Sequence, residues 1–171
     1  MISIAKYQTE YDNDEQVYFV KAIEILICSA CGCPDLIKKG WRRRNLILII
    51  GTLIVLMVRR VKCKRCNRIH HVLPDIVVPY KRYDAETIEK IIEGNQDVIC
   101  CEESTINRIK TWWTEVQSYV VAIATTIEKC KIPVPVMQKS KLSQIVCILA
   151  NSDLWPSWSR CKDHINASHA T

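Results

Sequence analysis

The chain has four glycines and one phenylalanine in its 171 residues. So few glycines leave no glycine-rich loop to cradle a nucleotide phosphate. An apolar leader is missing too: the opening MISIAKYQTEYDNDEQ is polar and acidic, which argues against a secretory signal. The longest apolar run, Leu46 to Val58, covers 13 residues, against about 20 for a membrane-spanning helix. Gly51-Thr52 interrupts that run and Ile, Leu and Val dominate it, so two buried strands joined near Gly51 are expected. No internal repeat or low-complexity tract is visible. These absences leave an ordinary globular protein of a reducing, cytoplasmic compartment, in which ten cysteines point to metal rather than to disulfides.

The charge is unevenly spread. Residues 35–82 carry 13 Lys and Arg against Asp35 and Asp75. Residues 83–131 carry nine acids and five bases, and the first 20 residues are acidic as well. A basic block between acidic ones suits a polyanionic partner at one face.

Two CxxC pairs frame the basic block. Cys28-Ser-Ala-Cys31 and Cys63-Lys-Arg-Cys66 are separated by 31 residues. Each spacing turns two sulfurs toward one ion, and together they supply the four tetrahedral ligands of a structural Zn2+. With four thiolates the site would carry about −2, so the segment stays strongly positive. Cys28, Cys31, Cys63 and Cys66 are the candidate ligands. Cys33 is a further thiol that could replace Cys31 or be spare, and the symmetric pairing of the two motifs favours spare. His70 and His71 are less favoured ligands, since four cysteines already complete the tetrahedron. Cys100, Cys101, Cys130, Cys147 and Cys161 lack ligand spacing and are expected to be small buried hydrophobes.

Four segments follow from these signals: an N-terminal arm or small opening strand over 1–22, a zinc ribbon over 23–80, a helix-turn-helix with a long helix over 81–131, and a C-terminal helix and tail over 132–171. In the ribbon, a short strand over Glu24–Ile27 leads into the first CxxC. Trp41–Ile49 and Leu53–Lys62 form a hairpin that delivers the second, and His70–Leu73 closes the sheet. So small a sheet is expected to depend on its metal. Asp84 can cap a helix over Ala85–Glu93, with Gly94 as its stop. A short helix over 95–101 is expected next, and then a long one from Ser104. Its apolar residues Ile106, Ile109, Trp113, Val116, Val120, Ile123 and Ile127 alternate at spacings of three and four. That seam can pack on the helix over Lys141–Ala150, or join two copies in a dimer. The fold class is α+β.

Function follows from the basic ribbon and the polar face of the long helix. Arg42, Arg43, Arg44, Arg59, Arg60, Lys64 and Arg65 are candidate phosphate contacts. Ser104, Thr105, Asn107, Arg108 and Thr111 point away from the seam at the start of the helix, where a recognition helix meets base edges. Acids placed to hold catalytic metals on an RNase H-like sheet are absent, as is any Ser-His-Asp or Cys-His arrangement. A non-catalytic binder of double-stranded DNA is therefore expected. The alternatives are a zinc-stabilised module that docks on a transposase or polymerase, and a single-strand binder using Trp41, Trp112 and Tyr80 as stacking platforms.

The run from Cys28 through GWRRR, VRRVKCKRCNRIHHVLPDIVVPYKRYDAETIEKII and ESTINRIKTWW resembles a bacterial family of small proteins of unknown function associated with insertion sequences and other mobile elements. It is similar in layout to the N-terminal zinc-binding and helix-turn-helix region of insertion-sequence transposases. The resemblance implies DNA binding in a transposition or regulatory setting and brings no catalytic assignment. The chain departs from that pattern at Cys100-Cys101 and at Ile109.

Overall fold

A computed structural model describes residues 1–95, 99–129 and 140–156. Strands β1 (Ile2–Ile4), β2 (Tyr7–Asp12), β3 (Val17–Ala22), β4 (Leu36–Ile47), β5 (Leu53–Cys63) and β6 (Ile69–Pro74) precede helices α1 (Ala85–Glu93), α2 (Glu103–Lys129) and α3 (Lys141–Asn151). The fold class is α+β: one curled six-stranded sheet and three helices.

The apolar run is a hairpin. β4 and β5 pair antiparallel from Leu36 opposite Cys63 to Ile47 opposite Leu53, with a register break between Lys38 and Trp41. Gly51 turns the chain at φ 82°, and a Cβ there would lie 2.9 Å from the Cys100 side chain. Among the described residues no helix is long and apolar enough to cross a membrane.

Residues 1–22 are not an arm. β2 and β3 form an antiparallel hairpin, β3 joins β5 in parallel at Tyr18–Leu56 and Phe19–Met57, and β1 runs parallel to β6. Ile2, Ile4 and Val20 then share a buried cluster with Leu46, Leu56, Val58, Val61 and Val72. This core belongs to the whole sheet, so the sheet is larger than a free-standing ribbon and does not rest on four sulfurs alone. Glu24–Ile27 is not a strand. It is an irregular connection on which Ile25 is 84% exposed.

The helical part starts as the capping residues dictate. The Asp84 carboxylate accepts a hydrogen bond from the Thr87 amide at 3.0 Å, and Gly94 ends α1 at φ 84°. β4 holds this start in place: Ile47 donates to the Arg82 carbonyl and accepts from the Asp84 amide. Residues 95 and 99–101 are not helical, so the connection to α2 carries no helix among its described residues. On α2, Ile106, Ile109, Trp112, Val116 and Val120 are buried against Ile88 and Ile91 of α1 and Leu142, Val146 and Leu149 of α3. The seam is thus filled within the chain; the Ile127 side chain lies outside the described part. Trp112, offered above as a stacking platform, is buried instead of its neighbour Trp113, and the Lys81 ammonium lies 4.7 Å from its ring centre. Helices on two sides widen the buried arc beyond a single seam.

Cys147 is buried as expected, but Cys100 is exposed. Cys130 and Cys161 lie outside the described residues. α3 closes on β1, where the Asn151 side chain bonds both the amide and the carbonyl of Ser3, at 2.8 and 2.9 Å.

Candidate metal centre

Cys28 and Cys63 each begin a tight turn, and the two turns are built alike. The Gly32 amide donates to the Cys28 carbonyl at 2.9 Å, and the Asn67 amide to the Cys63 carbonyl at 3.0 Å. The Cys28 amide donates to the carbonyl of Cys33, and the Cys63 amide to that of Arg68. Gly32 and Asn67 both take the left-handed conformation, with φ of 70° and 59°. The two residue types that tolerate it best stand directly after each CxxC. That cue was readable in the sequence and supplements the cysteine spacing. Cys33 matches Arg68 by position and serves its turn through a backbone carbonyl, and its sulfur is not among the four that cluster.

The sheet brings the two turns together. Cys63 ends β5 opposite Leu36, and the Lys64 amide donates to the Asp35 carbonyl at 3.0 Å. The sulfurs of Cys28, Cys31, Cys63 and Cys66 then lie within 4.8 Å of one another. Cys28–Cys66 and Cys31–Cys63 are each 3.6 Å apart. A tetrahedron with Zn–S bonds of about 2.3 Å has sulfurs about 3.8 Å apart, so the four residues fit a structural zinc. Backbone amides also point at the sulfurs. Those of Cys66 and Arg65 hold the Cys63 thiol down to about 6. Cys31, which the Cys33 amide would draw down, is pushed up to about 12 by burial and by the sulfurs of Cys28, Cys66 and Cys63. Burial raises Cys28. A cluster in which one thiol ionises readily and its neighbours then resist is what a divalent cation relieves.

His70 is the neighbour that ligand counting passes over. It is 3% exposed, its Nε2 is 3.2 Å from the Cys28 sulfur, and its Nδ1 is 3.4 Å from the Ser29 hydroxyl. Burial pushes its pKa down, toward the neutral ring.

The basic residues divide into two groups. Lys38, Lys39, Arg42 and Arg43 of β4 and Lys64 and Arg65 of the second turn are exposed. Arg59 is half-buried, its guanidinium 3.5 Å from the centre of the Trp41 ring, and Phe19 meets the same ring edge-on at 5.0 Å. Trp41 is thereby occupied within the sheet. Arg60 is half-buried, with an Nε that has no partner. Arg44 departs from the expected surface role: its Nη2 donates to the carbonyls of Val78 and Lys81 at 3.1 and 2.9 Å, tying β4 to the segment before α1. On α2, Ser104, Asn107, Arg108 and Thr111 are exposed and Thr105 is half-buried. Arg108 donates to the Thr105 hydroxyl at 2.9 Å, and the Thr111 hydroxyl donates to the Asn107 carbonyl at 2.9 Å.

A family model, a domain of unknown function designated DUF6431, matches residues 23–109. The chain belongs to that family. The match takes in both cysteine turns, the long hairpin, α1 and the first turns of α2, and it leaves out β1–β3 and α3. No curated protein and no solved structure matches the chain.

Proposed function

We propose that this chain is a zinc-stabilised, non-catalytic binder of duplex DNA that serves transposition or its regulation. The observation that carries this reading is the concentration of exposed cations on one hairpin and the turn that ends it: Lys38, Lys39, Arg42 and Arg43 on β4, and Lys64 and Arg65 in the second of the two cysteine turns. Lys and Arg so placed neutralise phosphates regardless of base sequence. The zinc would fix the second turn, which carries Lys64 and Arg65. Base reading falls to the start of α2, where Asn107 and Arg108 are exposed and have the donors for adenine and guanine edges. α1 and α2 would then work as a helix-turn-helix-like pair.

The test is fluorescence anisotropy of the zinc-loaded chain with duplex DNA over a range of salt. Affinity should fall steeply with salt, with a log–log slope of about −0.9 per phosphate contacted. Arg108→Ala should flatten the preference among sequences and leave that slope nearly unchanged. A folded, zinc-containing protein that ignores duplex DNA at low salt would remove the proposal.

A second reading, a zinc-held module that docks on another protein, is favoured by the exposure of Ile23, Ile25 and Ile27 beside the first cysteine turn, at 61%, 84% and 51%. Saturating duplex DNA separates the two, because a protein-docking surface on these isoleucines should stay free when the exposed cations are covered.

A further inference from the structure

The Cys28 sulfur has a partner that its motif does not provide. His70 reaches it from β6, across β5, with Nε2 at 3.2 Å. The same ring is held on its far side by Ser29, the residue after Cys28, with the hydroxyl 3.4 Å from Nδ1. A metal-bound thiolate can only accept a hydrogen bond, so Nε2 must carry the proton. A neutral ring then presents Nδ1 as an acceptor, which the Ser29 hydroxyl fills. Both ring nitrogens are satisfied in one tautomer, and the ring itself is buried. Hydrogen bonds to an ionised acceptor are stronger than neutral ones, and outer partners of a metal ligand govern both its orientation and its donor strength.

We infer that His70 is a positioning residue of the metal centre, donating from Nε2 to the Cys28 thiolate in a Ser29–His70–Cys28 relay rather than binding the metal. The inference rests on the zinc reading above. It assigns the four thiolates unequal roles. Cys28 carries a hydrogen bond from an imidazole, which removes electron density from its sulfur. The relay also ties β6 to the first cysteine turn, so metal binding is felt along the strand that pairs with β1.

The test compares His70→Leu, which keeps much of the volume and loses the donor, with His70→Gln, which keeps an amide N–H in reach of the sulfur. Three measurements are made on the whole chain: zinc content by mass spectrometry, zinc affinity by chelator competition, and the sulfur-to-metal charge-transfer band after Co2+ substitution. His70→Leu should weaken zinc 10- to 100-fold, the range typical of outer-partner changes. Its charge-transfer band should move to lower energy, because an undonated thiolate gives up its electron more easily. His70→Gln should stay near the parent on both readouts, and Ser29→Ala should shift both in the His70→Leu direction by less. If Leu and Gln behave alike, or neither moves the band, the relay is wrong although the zinc reading stands. X-ray absorption with a nitrogen ligand at the zinc of the parent protein would overturn the outer-partner role in favour of direct ligation. A parent protein without zinc removes both readings together.

Discussion

Gly32 and Asn67 occupy the same place in two copies of one turn, each in the left-handed conformation and each donating its amide to the first cysteine of its motif. Left-handed backbone costs an ordinary residue about 1–2 kcal/mol. A Cβ on Gly32 would meet nothing within 4 Å, so Gly32→Ala should cost only that backbone term. Asn67→Gly should stabilise slightly, and Asn67→Val should cost more than Gly32→Ala. Thermal unfolding of the zinc-loaded proteins reads all three.

Asp84 caps α1 through the Thr87 amide and hydroxyl. Asp84→Ala should destabilise by about 1 kcal/mol, while Asp84→Asn keeps an acceptor and should lose less. Burial raises the Asp84 pKa, with the Thr87 hydrogen bonds opposing it. The folded state therefore binds the proton more tightly than the unfolded state. This contribution to stability is complete below the ordinary carboxylate pKa and is lost as pH rises through the raised one. Denaturant titrations across that window should show a falling component in the parent that Asp84→Asn removes.

Arg42 and Arg44 lie two residues apart and should fail differently. Arg42 is exposed, so Arg42→Gln should leave stability within about 0.5 kcal/mol and lower the salt slope of DNA binding by about 0.9. Arg44 serves two backbone carbonyls. Arg44→Met strands both, and should destabilise by about 1–3 kcal/mol. Urea unfolding beside DNA titration distinguishes them.

Removing the metal should loosen the two cysteine turns without unfolding the molecule. The buried cluster of the sheet and that of the helices contain none of the four candidate ligands. Chelation, or Cys63→Ser, should remove hydrogen-exchange protection at 28–33 and 63–68 while the helical circular-dichroism signal persists. Loss of that signal would show that the sheet depends on the metal after all.

Much of this could be read from residue order because the signals were local. Asp84 and Gly94 bound α1 as their capping chemistry requires, Gly51 splits the apolar run into a hairpin, and the CxxC spacing names the four sulfurs. What escaped depends on distant pairing. Nothing near Tyr18 or Phe19 announces Leu56 and Met57 as parallel neighbours, so 1–22 looks like an arm. Arg44 sits in a run of three arginines that reads as surface, and only the fold reveals the Val78 and Lys81 carbonyls within its reach. Trp112 and Trp113 are adjacent, and the choice between them was made by α1 and α3 together. Counting ligands ranks His70 below the cysteines, and nothing in residue order announces that its ring lies beside the Cys28 sulfur.

The side chain of Asn151 satisfies Ser3 as the next residue of a neighbouring strand would, with one acceptor and one donor. A single amide thus makes the pair of bonds a strand would and buckles two distant stretches of chain together, like the ends of a belt. The family match covers 23–109, inside the buckle at both ends. An excised 23–109 fragment would lose the belt, bare the β5 edge that β3 covers, and strip α2 of α3. Its behaviour would describe an unbuckled object, and a failure to bind DNA or metal by that fragment would say little about the intact chain.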